Sequence, residues 1–135
     1  MSGIPAKHLI AAPFVFLLFF YGLTTAGLLS ADEPRYAAIG REMALSGDWI
    51  TPRLWGSPWF EKPPLLYWMI AAGFKAGLSD DLAPRLPVAI LSAGFLLLFF
   101  HQVRREFGER AALYASGILA TSAGWLAYSH VAVTD

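Results

Sequence analysis

The sequence predicts an all-α integral membrane fold: three transmembrane helices, with interfacial helices in the long loop between the first and second. Three observations carry this. Of the 135 residues, 56% are hydrophobic and 15% charged, whereas a soluble domain carries about 25% charge; the mean hydropathy is +0.50. The apolar residues form uncharged runs, and about twenty helical residues cross the roughly 30 Å hydrocarbon core. The charges collect between those runs. Ten basic and ten acidic residues cancel, so the charge balance carries no signature of a nucleic-acid partner, and none is expected. The absence of cysteine excludes disulfides and thiolate metal sites. His8, His101 and His130 stand at no metal-ligand spacing.

The first expected span is 9–30, an uncharged run rich in Phe, Leu and Ala that comes after Lys7 and the amino terminus. Basic flanks favour the cytoplasmic side, so the chain beyond Ala31 is expected outside the cytoplasm. A cleaved signal peptide is the rival reading, but its apolar part is normally about 7–15 residues, shorter than this run.

The external loop, 31–85, has its own structure. Asp32 is suited to cap a helix over about 34–46, with Pro34 in its first turn and Gly47 as its stop. Tyr36, Ile39 and Met43 share one face of that helix, an amphipathic pattern that suits a membrane interface. Trp49, Trp55, Trp59 and Trp68 come within the next stretch of twenty residues, and indoles prefer the headgroup level. A second helix is expected over 63–77, opened by Pro63-Pro64 and closed by Gly77. Its apolar centre, Leu65 to Phe74, is too short to cross and is expected to lie in the outer leaflet.

The remaining spans are expected at 86–103 and 111–132. The Arg104, Arg105 and Arg110 cluster between them is expected in the cytoplasm. The loop 32–85 has six basic residues of its own, but seven acidic neighbours surround them. This arrangement puts Asp32 and Asp135 on the same, outer face. The chain runs straight from an apolar stretch to Asp135, so it is expected to be the N-terminal piece of a longer multi-span protein.

Charges at the mouth of a span are the natural place for chemistry. Asp32 and Glu33 at a helix start either cap it, worth about 0.5–2 kcal/mol, or aim a carboxylate at a substrate or metal. Glu61-Lys62 before Pro63-Pro64 is either a surface ion pair or part of a cationic pocket with Arg35, to which Tyr36 adds a hydroxyl. Arginine's donor fork and lysine's point charge suit phosphate. A phosphate beside tryptophans at an interface points to a phospholipid or a polyprenyl phosphate. Asp135 marks either a water boundary or a second acid of the site; Arg85 reads as a boundary residue.

These segments resemble the membrane-embedded GT-C glycosyltransferases, family 39 and the related lipid A aminoarabinose (undecaprenyl phosphate-aminoarabinose) transferases. The matching features are ADEPRYAAIGREMALSGDWITP, GSPWFEKPPLLYWM, APRLP and a span ending SHVAVTD, which together cover nearly all of the chain. The resemblance implies an inverting transfer of a sugar from a polyprenyl-phosphate donor to lipid A or another glycolipid, less readily a protein. It implies the bacterial inner membrane, with the active face periplasmic. By position, Asp32, Glu33 and Asp135 look like the catalytic acids, and Arg35, Tyr36 and Lys62 like donor-phosphate contacts. Glu61 resembles a residue at a metal or acceptor site, and a divalent metal is the one cofactor considered. Family members are much longer, so this chain would hold part of a site. The alternative is a non-enzymatic transporter or lipid-binding subunit. Transporters, however, place ionisable groups within their spans, and these spans are nearly free of them.

Overall fold

The computed structural model describes residues 6–29 and 31–133, with side chains from Pro13 onward. Among the described residues, six helices and one small hairpin succeed one another. Among the described residues, one helix is long and apolar enough to cross a membrane.

Helix α1 (Ala6–Phe20) has 15 residues, about 22 Å at 1.5 Å per residue. It ends well before the expected limit of the first span. Gly22 turns the chain at φ 81°, and the backbone runs on to Leu29 without helix.

Helix α2 (Asp32–Ser46) starts at Asp32 itself, not after it, and Ala31 in the cap position offers no side-chain bond. Asp32 therefore acts from inside the first turn, where a carboxylate favours the helix dipole. The expected stop is present: Gly47 takes a left-handed conformation, φ 74°, and its N–H reaches the Met43 carbonyl at 3.1 Å. Strands β1 (Arg53–Leu54) and β2 (Ser57–Pro58) pair antiparallel around Trp55-Gly56. Both turn residues have positive φ, 53° and 81°, as a type I′ hairpin requires.

Helix α3 (Leu65–Lys75) lies against α2. Tyr36, Ile39 and Met43 bury their shared face against Leu66, Tyr67 and Ile70, and Leu54 closes the cluster. Gly40 permits this contact, since a Cβ there would collide with the Ile70 side chain. Gly73 does the same where α3 meets the chain at Ala83, whose carbonyl a Cβ would meet at 2.9 Å.

Helix α4 (Leu82–Phe107) runs for 26 residues, about 39 Å, and is the membrane-crossing candidate. Arg104 and Arg105 occupy its last turn, where cations suit the dipole. Gly108 reverses the chain into α5 (Glu109–Thr121). The run expected to cross as one helix over 111–132 is interrupted: Ser122 is extended, with ψ 132°, and leads into a separate helix α6 (Ala123–Ser129). A second core joins Phe19, Leu96 and Ala120, with Trp125 against them. On the outside, Ile90, Leu91, Phe95, Leu97, Leu98, Leu113 and Ile118 are exposed. A band of that kind is a liability in water and matches a hydrocarbon surround.

Candidate active site

The site is built around an ion pair buried where α2, α4 and the end of α6 converge. Glu33, in the first turn of α2, has no exposed surface, and Arg85, in the first turn of α4, keeps 2%. Arg85 Nε donates to Glu33 Oε1 at 2.8 Å and Nη2 to Oε2 at 2.8 Å, the bidentate geometry that gives Arg–carboxylate pairs their strength. The other Arg85 donors cap the non-helical segment after α1: Nη1 reaches the Leu23 and Ala26 carbonyls at 2.8 and 2.7 Å, and Nη2 reaches Gly27 at 2.9 Å. On the carboxylate, Oε2 also accepts the Leu29 N–H at 2.6 Å, and Oε1 the Ala132 N–H at 3.1 Å.

An arginine has five N–H donors and an ionised carboxylate about four acceptor sites; here every one is engaged. That completeness is what makes a buried pair tolerable, because unmatched charge in a dry interior is very costly. Burial alone would push the Glu33 carboxyl up, but the Arg85 guanidinium and the two backbone N–H groups outweigh it and hold the carboxyl below its ordinary value.

One sequence reading changes here. Arg85 is no boundary residue but the centre of the network. Glu33, expected among the catalytic acids, presents no open face to a substrate. Sequence reasoning missed Arg85's role, although one signal was available: a lone arginine between Pro84 and Leu86, opening a long uncharged run, needs a partner.

Asp32 is partly exposed and accepts a hydrogen bond from Arg35 Nη1 at 3.0 Å. The Arg35 guanidinium sits 5.7 Å from the centre of the Trp59 ring, a cation–π distance. Lys62 is half-buried and Glu61 exposed, both on the segment between β2 and α3. Tyr36 is buried, and its ring meets Tyr67 edge-on at 5.7 Å between centroids. Tyr67 is buried too, its hydroxyl without a hydrogen-bond partner, and burial, with Tyr36 and Glu61 nearby, pushes the phenol up to about 12. The structure thus brings Asp32, Arg35 and Trp59 together, while Tyr36 is buried against Tyr67.

Asp135 lies outside the described residues, but Ala132, three positions before it, is hydrogen-bonded to Glu33. His130 bonds locally through Nδ1 to the Leu126 carbonyl, 2.8 Å. Glu61 offers one carboxylate for a metal; among the described residues no three His, Asp or Glu side chains gather as a ligand set, so no metal step is derived.

A helical fold with an exposed apolar band and an acid–arginine pair at the start of a helix long and apolar enough to cross a membrane has the features of a membrane protein with a polar site at one end of that helix. Residues 61–135, more than half of the chain, match the model of the dolichyl-phosphate-mannose-protein mannosyltransferase family, and the chain belongs to that family. It is 38% identical over 112 residues to undecaprenyl phosphate-alpha-4-amino-4-deoxy-L-arabinose arabinosyl transferase 2 of Pseudomonas fluorescens, covering 82% of this chain and 19% of the relative. To the corresponding transferase of Pseudomonas savastanoi pv. phaseolicola it is 35% identical over 119 residues, covering 88% of this chain and 22% of the relative. The chain therefore spans about a fifth of the length of these relatives. Its fold matches the crystal structure of ArnT from Cupriavidus metallidurans bound to undecaprenyl phosphate with a TM-score of 0.88 and 31% identity, over 97% of this chain and 24% of ArnT. The match to the apo form has a TM-score of 0.84 and 32% identity, over 95% and 24% of the two chains.

Proposed function

We propose that this chain forms part of an inverting glycosyltransferase that moves a sugar from a polyprenyl-phosphate donor to a glycolipid acceptor such as lipid A. The work is done at the periplasmic face of a bacterial inner membrane. The observation that carries the reading is the likeness, over nearly the whole chain, to a transferase solved with undecaprenyl phosphate, joined to an acid and an arginine set side by side on the matching loop. In this reading α1, α4 and the α5–α6 pair each cross the membrane, and the loop layer of α2 and α3 lies on its outer surface.

The leaving group of such a transfer is a lipid phosphate. Arg35 and Lys62 would bind its oxygens and stabilise the charge that develops as the sugar–phosphate bond breaks, which is where electrostatic catalysis is most effective. Trp59 limits the freedom of the Arg35 guanidinium. Asp32 would face the acceptor: it takes the proton of a hydroxyl, or orients an acceptor that is already anionic. Asp135 would add a second carboxylate to the same face, and Tyr36 supports the loop beneath the phosphate.

Asp32→Asn in the full-length protein tests this. Transfer should fall at least a hundredfold, read by mass spectrometry of the glycolipid product, while membrane insertion stays normal. Transfer at the wild-type rate would remove Asp32 from the chemistry.

A further inference from the structure

The bonds that satisfy the Glu33–Arg85 pair reach well beyond α2 and α4. A bidentate pair between α2 and α4 already neutralises both charges. The remaining bonds all go to backbone: Leu23, Ala26 and Gly27 carbonyls on Arg85, Leu29 and Ala132 N–H groups on Glu33. These backbone positions flank the two acids of the proposed site. Leu29 lies three residues before Asp32, and Ala132 lies three before Asp135. The contact to Ala132 joins residues 99 positions apart, and Ala132 is itself fully buried in the α2–α3 core.

We infer that Glu33 and Arg85 form a positioning clamp that fixes the distance between the Asp32 turn and the segment leading to Asp135. Glu33 is thus a positioning residue, not a catalytic one. Its neighbour Asp32 points elsewhere and pairs with Arg35, so the two adjacent acids divide the work between chemistry and geometry. The carboxylate is suited to this because it accepts from both segments at once, one oxygen to each. Glutamine in its place would turn an N–H₂ group toward either the guanidinium or a backbone N–H, opposing donor to donor. Arg85 holds the third side, since its fork caps carbonyls that have no helix to satisfy them.

The inference rests on the transferase reading, and the experiment separates the two. In the full-length protein, Glu33→Gln and Arg85→Lys are made with and without spin labels on Leu45→Cys in α2 and Tyr128→Cys in α6, positions that are 79% and 61% exposed. For Glu33→Gln, kcat should fall at least tenfold, undecaprenyl phosphate should bind within threefold of wild type, and the label-to-label distance distribution should broaden. Arg85→Lys keeps the charge but has too few donors for all five bonds, and should fall between wild type and Glu33→Gln on both readouts.

A kcat within threefold of wild type for Glu33→Gln overturns the clamp. Loss of kcat with an unchanged distance distribution also overturns it, in favour of direct chemistry by Glu33. So does loss of lipid-phosphate binding in proportion to kcat, or failure of both variants to insert, since either makes the pair a general brace of the fold. A wild-type protein that transfers no sugar defeats the transferase reading alone; the distance measurement still decides the clamp.

Discussion

Glu33 shows how adjacent residues of one type come to differ. Asp32 and Glu33 are both acids in the first turn of α2, yet one is partly exposed and the other completely enclosed. Nothing in the local sequence tells them apart, because the difference is made by Arg85, 52 positions away. Its signature should be acid sensitivity. The Glu33 carboxyl is held below its ordinary value, so the stability it contributes is fully present above the unfolded-state value of about 4.3. That stability is lost as pH falls through the folded-state value. A thermal-denaturation series between pH 7 and pH 3 should show the midpoint dropping below about pH 4.5, and the drop should be shallower in Glu33→Gln. A midpoint drop of equal depth in both proteins would assign the acid sensitivity to other carboxylates.

At the scale of elements, the loop layer was legible where short-range chemistry decides it. Gly47 stops α2, and the Pro63-Pro64 pair stands just before α3, which runs over Leu65–Lys75 where the expected helix was 63–77. The stop of α1 at Phe20 and the break at Ser122 were not legible. Serine is no strong helix breaker, and both changes lie inside uncharged runs, marked only by Gly22 and Thr24-Thr25 after α1 and by Thr121-Ser122 before α6. The α2–α3 contact depends on Gly40, where any side chain meets Ile70. Gly40→Val should therefore cost about 1–3 kcal/mol, the usual range for overpacking, and should speed proteolysis within residues 32–77; cleavage at the wild-type rate would show that the layer yields. The hairpin presents Trp55 at 86% exposure in a positive-φ conformation that bulky residues seldom adopt. A nitroxide at Trp55→Cys should be more accessible to oxygen than to a water-soluble nickel chelate. The reverse order would place the hairpin in the aqueous phase and argue against a loop lying on lipid.

For the whole molecule, composition and the uncharged runs were enough to indicate a helical membrane protein. They were not enough to fix how many helices cross, because among the described residues length and apolarity alone qualify only α4. The proposed arrangement of three crossings is open to a direct labelling test. The sequence contains no cysteine, so single cysteines introduced into this part of the chain report their own surroundings. A cysteine at Phe107 should react with a membrane-impermeant maleimide only after the inner membrane is opened. One at Ile50, which is 85% exposed, should react in intact spheroplasts. Equal reactivity of both in intact spheroplasts would exclude opposite faces and with them the proposed path of α4.

The bond between Glu33 and Ala132 also orders events during synthesis. The carboxylate leaves the ribosome 99 residues ahead of the N–H that completes it, and at about 5–20 residues per second that interval is about 5–20 s. For about the first half of it Glu33 has neither Arg85 nor Ala132, so the nascent chain carries an unsatisfied acid at the mouth of α2. An acid in that state stays in water. The α2 turn therefore docks against Arg85 only once α4 has been started, and the Ala132 bond is among the last contacts formed as this part of the chain emerges.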